Sequence, residues 1–220
     1  MADTTVLRRP LSTAMIGGSF DPVHLGHLHL IHCVVANTLY QRIILVPVAL
    51  NNFKQDEQPP APADDRLAML HLAIGQYQEI YPQDRAVELI VDSCELDRGG
   101  VSYTYDTVRY LYDIYQIDGA ISVVMGDDLL KGLPRWHRFA QLKKIVDFIV
   151  CRREDDAPSP DVPEGVRIRF IDNAVKEDSS SYIRQRCAKL ASDEKLPAEV
   201  VSLMPGKVAE YVQERHLYRA

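Results

Sequence analysis

Short apolar runs and longer amphipathic stretches take turns along the chain. Residues 13–16, 43–46, 87–91, 120–125, 147–150 and 166–171 form strand-length hydrophobic runs, the pattern of strands buried on both faces. Between and after them, residues 25–40, 64–77, 103–115, 136–145, 179–190 and 206–216 carry helical spacing. In the first of these, Leu28, Ile31, Val35 and Leu39 recur every three or four residues and predict one apolar face. Strands separated by helices of this length predict right-handed crossovers, because parallel neighbours need a connection that passes over the sheet. The expected fold is α/β: a single doubly wound, Rossmann-like domain over residues 1–220, with a mainly parallel sheet, helices on both faces and a helical C-terminal part over residues 179–220. The Pro-rich stretches QDEQPPAPADD and REDDAPSPDVPEG read as exposed loops, the first a candidate lid over a site.

Composition narrows the partners. At 220 residues and 46% hydrophobic the chain can bury one ordinary core. A net charge of −6 argues against nucleic acid, whose phosphates call for a basic face, and favours a small partner. Cys33, Cys94, Cys151 and Cys187 are far apart with no C-x-x-C pair, which points to neither a disulfide scaffold nor a zinc knuckle and fits a reducing compartment. The opening MADTTVLRRPLST is polar where a secretory leader needs an apolar core, and no stretch approaches the roughly 20 apolar residues of a membrane span, so a cytoplasmic protein without a membrane partner is expected.

Chemistry concentrates in GGSFDPVHLGHLHL, residues 17–30. In a doubly wound sheet, ligands bind beyond the carboxyl ends of the strands, and Gly17 directly follows the first apolar run. Gly17 and Gly18 allow close backbone approach and positive φ, Asp21-Pro22 turns the chain, and a helix start near residues 24–26 would aim free backbone N–H groups at an anion. The stretch matches neither G-x-G-x-x-G nor G-x-x-x-x-G-K-[ST], so the histidines must supply what those loops supply. His24, His27, His29 and His32 would fan around a helix instead of converging on a metal, and no metal ligand set is expected. His24 and His27 bracket the helix start, where imidazole N–H groups can bind phosphate; His29 and His32 read as partly exposed helix positions.

With those residues in hand, GGSFDPVHLGHL resembles the H-x-G-H signature of the nucleotidylyltransferase superfamily, in the form found in bacterial nicotinate-nucleotide adenylyltransferases. Three further blocks, ELDRGGVSYTYDTVRYL, MGDDLLKGLPRWHRFAQL and SSSYIR, resemble that family's segments and follow in family order. The resemblance implies transfer of the adenylyl group of ATP to nicotinate mononucleotide, giving nicotinate adenine dinucleotide and pyrophosphate with Mg²⁺ assisting. The attacking phosphate has a second pKa near 6 and is mostly dianionic at neutral pH, so the reaction needs alignment and charge stabilisation and no general base.

A helix N-terminus offers an anion only about 0.3–1 kcal/mol, so several donors must converge on a triphosphate. The expected ATP set is Gly17, Gly18, Ser19, Phe20, His24, His27, Ser179, Ser180, Ser181 and Arg184, with His24, His27 and Arg184 catalytic. The serines suit both helix capping and phosphate oxygens, and Arg184 lies about one turn in. Lys54, grouped with the pyridine nucleotide contacts, is a candidate extra cation near the phosphates. By resemblance Trp136, read at a helix start, stacks on the pyridine ring, Asp128 contacts a ribose hydroxyl, and Arg153 aligns with a family arginine. Tyr103 and Thr104 open a helix whose N–H groups suit the ring carboxylate, which favours nicotinate over nicotinamide because a carboxylate only accepts.

The chain departs from the family pattern in three places. Asn51-Asn52-Phe53 precedes Lys54 where Pro-Pro-His is usual, Glu154-Asp155 replaces Pro-Gly, and Ser181 and Asp178 stand for threonine and isoleucine. The alternatives are a pantetheine-phosphate adenylyltransferase or cytidylyltransferase, which leave the Ser-Tyr-Thr and Trp136 blocks unexplained, an enzyme taking both nicotinate and nicotinamide mononucleotide, and a nucleotide-binding sensor that releases no pyrophosphate. An aminoacyl-tRNA synthetase core is disfavoured by the short, acidic chain.

Overall fold

A computed structural model describes residues 10–49, 61–152, 162–172 and 180–219. Six strands, β1 (Thr13–Gly18), β2 (Arg42–Pro47), β3 (Glu88–Val91), β4 (Ile121–Gly126), β5 (Val146–Arg152) and β6 (Ile168–Asp172), form one sheet in the order β3-β2-β1-β4-β5-β6. All five pairings are parallel. Successive side chains of each strand enter opposite cores, as a period of two requires. Ala14, Ile16, Ile43, Leu45, Val124 and Ile149 meet α1 (Leu25–Asn37), α2 (Ala63–Gly75), α7 (Ser180–Cys187) and α9 (Gly206–Glu214) through residues such as Leu28, Met69, Ile183 and Val208. Met15, Ile44, Val46, Val123, Met125 and Phe148 meet α5 (Thr104–Ile114) and α6 (Phe139–Ile145) through Val108, Leu111 and Leu142. The helices therefore cover both faces, as the pattern of apolar runs predicts.

The first helix stops earlier than its spacing suggests. The Thr38 hydroxyl donates to the Val34 carbonyl (2.6 Å) and the Asn37 amide to the Cys33 carbonyl (2.9 Å), occupying the last acceptors of α1. Leu39, expected on the apolar face, consequently lies beyond the helix and is 85% exposed. The helix expected over residues 136–145 is also corrected. A 3₁₀ stretch, Asp127–Arg135, ends when the Trp136 N–H donates to the Leu133 carbonyl (3.0 Å), and α6 begins only after Arg138 has taken φ +52°. Trp136 closes one helical stretch instead of opening another. The short helices α3 (Tyr77–Ile80), α4 (Cys94–Arg98) and α8 (Ala198–Val201) are too brief for a helical period to register. No helix among the described residues is long and apolar enough to cross a membrane.

Candidate active site

The strand order reverses between β1 and β4, and the carboxyl ends of these two neighbours carry Gly17-Gly18 and Gly126-Asp127. Gly17 and Gly18 continue the strand, paired with Val46 and Pro47, and neither takes the positive φ expected of them. Their use is space: a Cβ on Gly18 would lie 3.3 Å from the Phe20 ring. Phe20 itself takes φ +48° and is 1% exposed, a strained turn held by the packing of its ring.

The start of α1 differs from expectation in a way that decides its chemistry. Its backbone N–H groups do not wait for a ligand. Leu25 N–H donates to the Leu203 carbonyl (2.8 Å), Gly26 N–H to Nδ1 of His24 (3.1 Å), and His24 N–H to Nδ1 of His27 (3.2 Å). The two histidines form a reciprocal capping box, with His24 as N-cap and His27 at the third helical position. A backbone N–H can only donate, so each Nδ1 is an unprotonated acceptor and each ring carries its proton on Nε2. The rings lie 3.9 Å apart, His27 also packs 5.0 Å from Phe20, and among the described residues neither Nε2 has a hydrogen-bond partner. The donors that this turn leaves available are two imidazole Nε2–H groups, fixed in tautomer and direction by the helix they cap.

Burial pushes His24 down to about 4, and burial together with its neighbour His24 pushes His27 well below the ordinary histidine range. Both rings are neutral donors at neutral pH. The linkage has a definite sign: as pH falls below 6.5 the unfolded chain takes up a proton that the folded one refuses until about pH 4, so stability present above pH 6.5 is lost towards pH 4. Urea unfolding at pH 7 and pH 4.5 checks this. The parent chain should lose about 2–3 kcal/mol more than His24→Asn, which keeps a capping side chain and does not titrate; parallel losses would remove the assignment.

The start of α7, more than 150 residues away in sequence, lies against the same turn. The Ser180 hydroxyl donates to the Pro22 carbonyl (3.0 Å), Arg184 Nη1 to the Asp21 carbonyl (2.6 Å), and Arg184 Nη2 to the Ser181 hydroxyl (3.2 Å). Arg184 is 9% exposed, and its Nη1 is 3.8 Å from Asp21 Oδ2. It thus carries a role in holding the turn beyond the one expected of it. Sequence reasoning missed two more residues here. Arg66, 3% exposed on α2, donates to the carbonyls of Ser19 (3.0 Å), Val48 (2.7 Å) and Ala61 (3.2 Å), tying the turn to the exit of β2. Tyr218 donates to Asp21 Oδ1 (2.7 Å). The readable signal for Arg66 is its place in the stripe Arg66, Met69, Leu70, Ala73, where an arginine interrupts an apolar face.

On the far side of the switch point, Tyr103 is the N-cap of α5 and makes no side-chain capping bond; its carbonyl takes the Asp106 N–H (2.9 Å), while the N–H groups of Thr104 and Tyr105 have no intrahelical acceptor. The Glu95 carboxyl accepts from the Thr107 hydroxyl (2.6 Å) and ties α4 to α5; burial raises its pKa. The Tyr103 ring stacks on His137 (4.3 Å), and the Arg138 guanidinium lies 5.4 Å over Tyr105, so the Trp136 turn and the α5 start are held together. Trp136 is half-buried, edge-on to Phe148 (6.4 Å). Asp128 is exposed in the 3₁₀ stretch leaving β4. His32 is a partly exposed helix position, as expected, and also pairs through Nδ1 with buried Asp84 (2.8 Å) and stacks on Tyr81. Lys54, Arg153 and Ser179, with Asn51, Asn52, Phe53, Glu154, Asp155 and Asp178, lie outside the described residues.

Comparison with known proteins identifies the family. Residues 15–186 match the cytidylyltransferase-like family model. A relative from Treponema pallidum, named "Probable nicotinate-nucleotide adenylyltransferase", is 34% identical and covers 96% of this chain and 100% of its own. One of the same name from Opitutus terrae is 32% identical over 95% and 98%. Among solved structures, Plasmodium falciparum nicotinic acid mononucleotide adenylyltransferase complexed with NaAD superposes with a TM-score of 0.73 at 17% identity, covering 94% of this chain and 97% of that one, which is a likeness of fold. The chain belongs to the nicotinate-nucleotide adenylyltransferase family, within the cytidylyltransferase-like group.

Proposed function

We propose that this chain transfers the adenylyl group of ATP to the phosphate of nicotinate mononucleotide, in the synthesis of NAD, through the two imidazole donors at the start of α1. An oxygen of the mononucleotide phosphate attacks the α-phosphorus, the bond from that phosphorus to the bridging oxygen breaks, and pyrophosphate leaves with the electron pair. The observation that carries the reading is the reciprocal cap of His24 and His27. With Nε2 protonated, neither ring has a lone pair to act as a base there. Each has a donor for a phosphoryl oxygen, which suits a nucleophile that arrives as a dianion.

The other roles follow from position. Gly17, Gly18, Ser19 and Phe20 shape the turn over which the triphosphate lies, and the α7 start brings Ser180, Ser181 and the charge of Arg184 beneath it. Ser179 and Lys54 add a hydroxyl and a cation to the phosphates. The open first turn of α5, at Tyr103 and Thr104, accepts the pyridine carboxylate, Trp136 stacks on the ring, Asp128 accepts from a ribose hydroxyl and Arg153 contributes to the mononucleotide phosphate. Mg²⁺ enters as part of the substrate MgATP, bound to the triphosphate oxygens whose charge it neutralises.

One assay tests both reaction and selectivity. The protein is incubated with ATP, Mg²⁺ and either nicotinate or nicotinamide mononucleotide, and pyrophosphate is followed. Release should require both substrates, and kcat/KM should favour the acid by about 10²-fold or more, because an amide would turn its own N–H donors on the α5 N–H groups. Equal use of the two mononucleotides would displace the carboxylate from the α5 start.

A further inference from the structure

We propose that Tyr218 is a positioning residue for the ATP-binding turn, acting through the buried carboxylate of Asp21. The inference rests on the reading of residues 17–27 as that turn. Asp21 is 3% exposed and opens the Asp21-Pro22 corner that leads into the cap His24. Its Oδ1 accepts from the Tyr218 hydroxyl (2.7 Å) and from the Ala61 N–H (3.1 Å), while Arg184 holds its carbonyl. Three elements remote in sequence therefore converge on one residue: the segment after α9 and the lead-in to α2 on its side chain, and α7 on its carbonyl.

The backbone supplies a second, independent observation. His216 takes φ +51° and Tyr218 φ +64°, both in the left-handed region that side chains other than glycine avoid, and Phe20, next to Asp21, takes φ +48°. Such conformations persist only where the surroundings over-determine them. On the Tyr218 side, the neighbouring Arg219 donates through Nη1 to the carbonyls of Ala191 (2.6 Å) and Ser192 (2.7 Å), and the Leu217 N–H to the Val212 carbonyl (3.1 Å). The tail is anchored on both sides of the tyrosine, which then spans 197 positions of sequence to reach Asp21. Burial and the Asp21 carboxylate push Tyr218 far above the ordinary tyrosine range, so the hydroxyl keeps its proton and remains a donor. Without it, a buried carboxylate oxygen loses a bond and the corner that aims His24 and His27 gains freedom.

Tyr218→Phe removes one oxygen atom and keeps the ring. Titration calorimetry of the full chain with a non-hydrolysable ATP analogue and Mg²⁺ should show affinity weakened about tenfold, the effect of one hydrogen bond to a charged group, with kcat falling about tenfold and KM for nicotinate mononucleotide within twofold of the parent. Tyr115→Phe is the control: it deletes a comparable hydroxyl bond, to Asp92 Oδ2 (2.8 Å), at the far end of α5 and should leave analogue affinity unchanged. Analogue affinity within twofold of the parent in Tyr218→Phe overturns the proposal, as does an equal loss in the control or an equal rise in KM for the mononucleotide. Failure of the parent chain itself to bind the analogue overturns the reading of the turn, and the proposal with it, which is a different result from normal binding that Tyr218→Phe leaves intact.

Discussion

Replacing His27 with alanine should lower kcat by about 10²–10³-fold, the usual effect of deleting one donor to the charge that develops in a transition state. The ring also has structural work, since its Nδ1 accepts from the His24 N–H, so the same change costs about 1 kcal/mol of stability through the lost cap. The two effects separate with a second variant. Glutamine is a natural third residue of a capping box, and His27→Gln can return an acceptor to His24 N–H without returning a rigid Nε2–H. Stability should recover while turnover stays depressed by at least about tenfold. Thermal unfolding beside pyrophosphate release measures both. Turnover near the parent value in His27→Ala would sink the assignment, and turnover that recovers fully with stability in His27→Gln would reduce the histidine to a cap.

These two roles explain which parts of the site could be read from sequence. The sheet is legible because strands buried on both faces leave continuous apolar runs, and the location of the site follows from strand order once Gly17 closes the first run. His24 and His27 are singled out by spacing and resemblance. Their use of the backbone is not legible: histidine is no favoured cap, so nothing in the string announces that the first-turn N–H groups of α1 are already occupied. The break after Trp136 is hidden for a similar reason, since arginine does not signal the left-handed φ that Arg138 adopts. Arg66 is visible in hindsight as a charge on an apolar stripe. Tyr218 is not visible at all, because its partner is fixed only by the tertiary fold.

Trp136→Ala should raise KM for nicotinate mononucleotide by about 100-fold, from the loss of about 1–3 kcal/mol of stacking on one ring plus the looser turn that carries it. The geometry sets where the effect falls. The indole leans edge-on against Phe148, which positions it, while the neighbouring His137–Tyr103 stack ties its turn to the start of α5, the proposed site of the ring carboxylate. The donors proposed for ATP, at the start of α1, do not involve it, so KM for ATP should stay within about twofold and kcat within about fivefold. Trp136→Phe, which keeps a smaller π-face, should recover part of the loss. The chain contains one tryptophan, so quenching of its fluorescence by nicotinate mononucleotide gives a binding isotherm without turnover. An unchanged KM for nicotinate mononucleotide in Trp136→Ala together with impaired use of ATP would move the indole from the pyridine side of the switch point to the adenylate side. The carboxylate reading at Tyr103 and Thr104 would then stand on the α5 start alone.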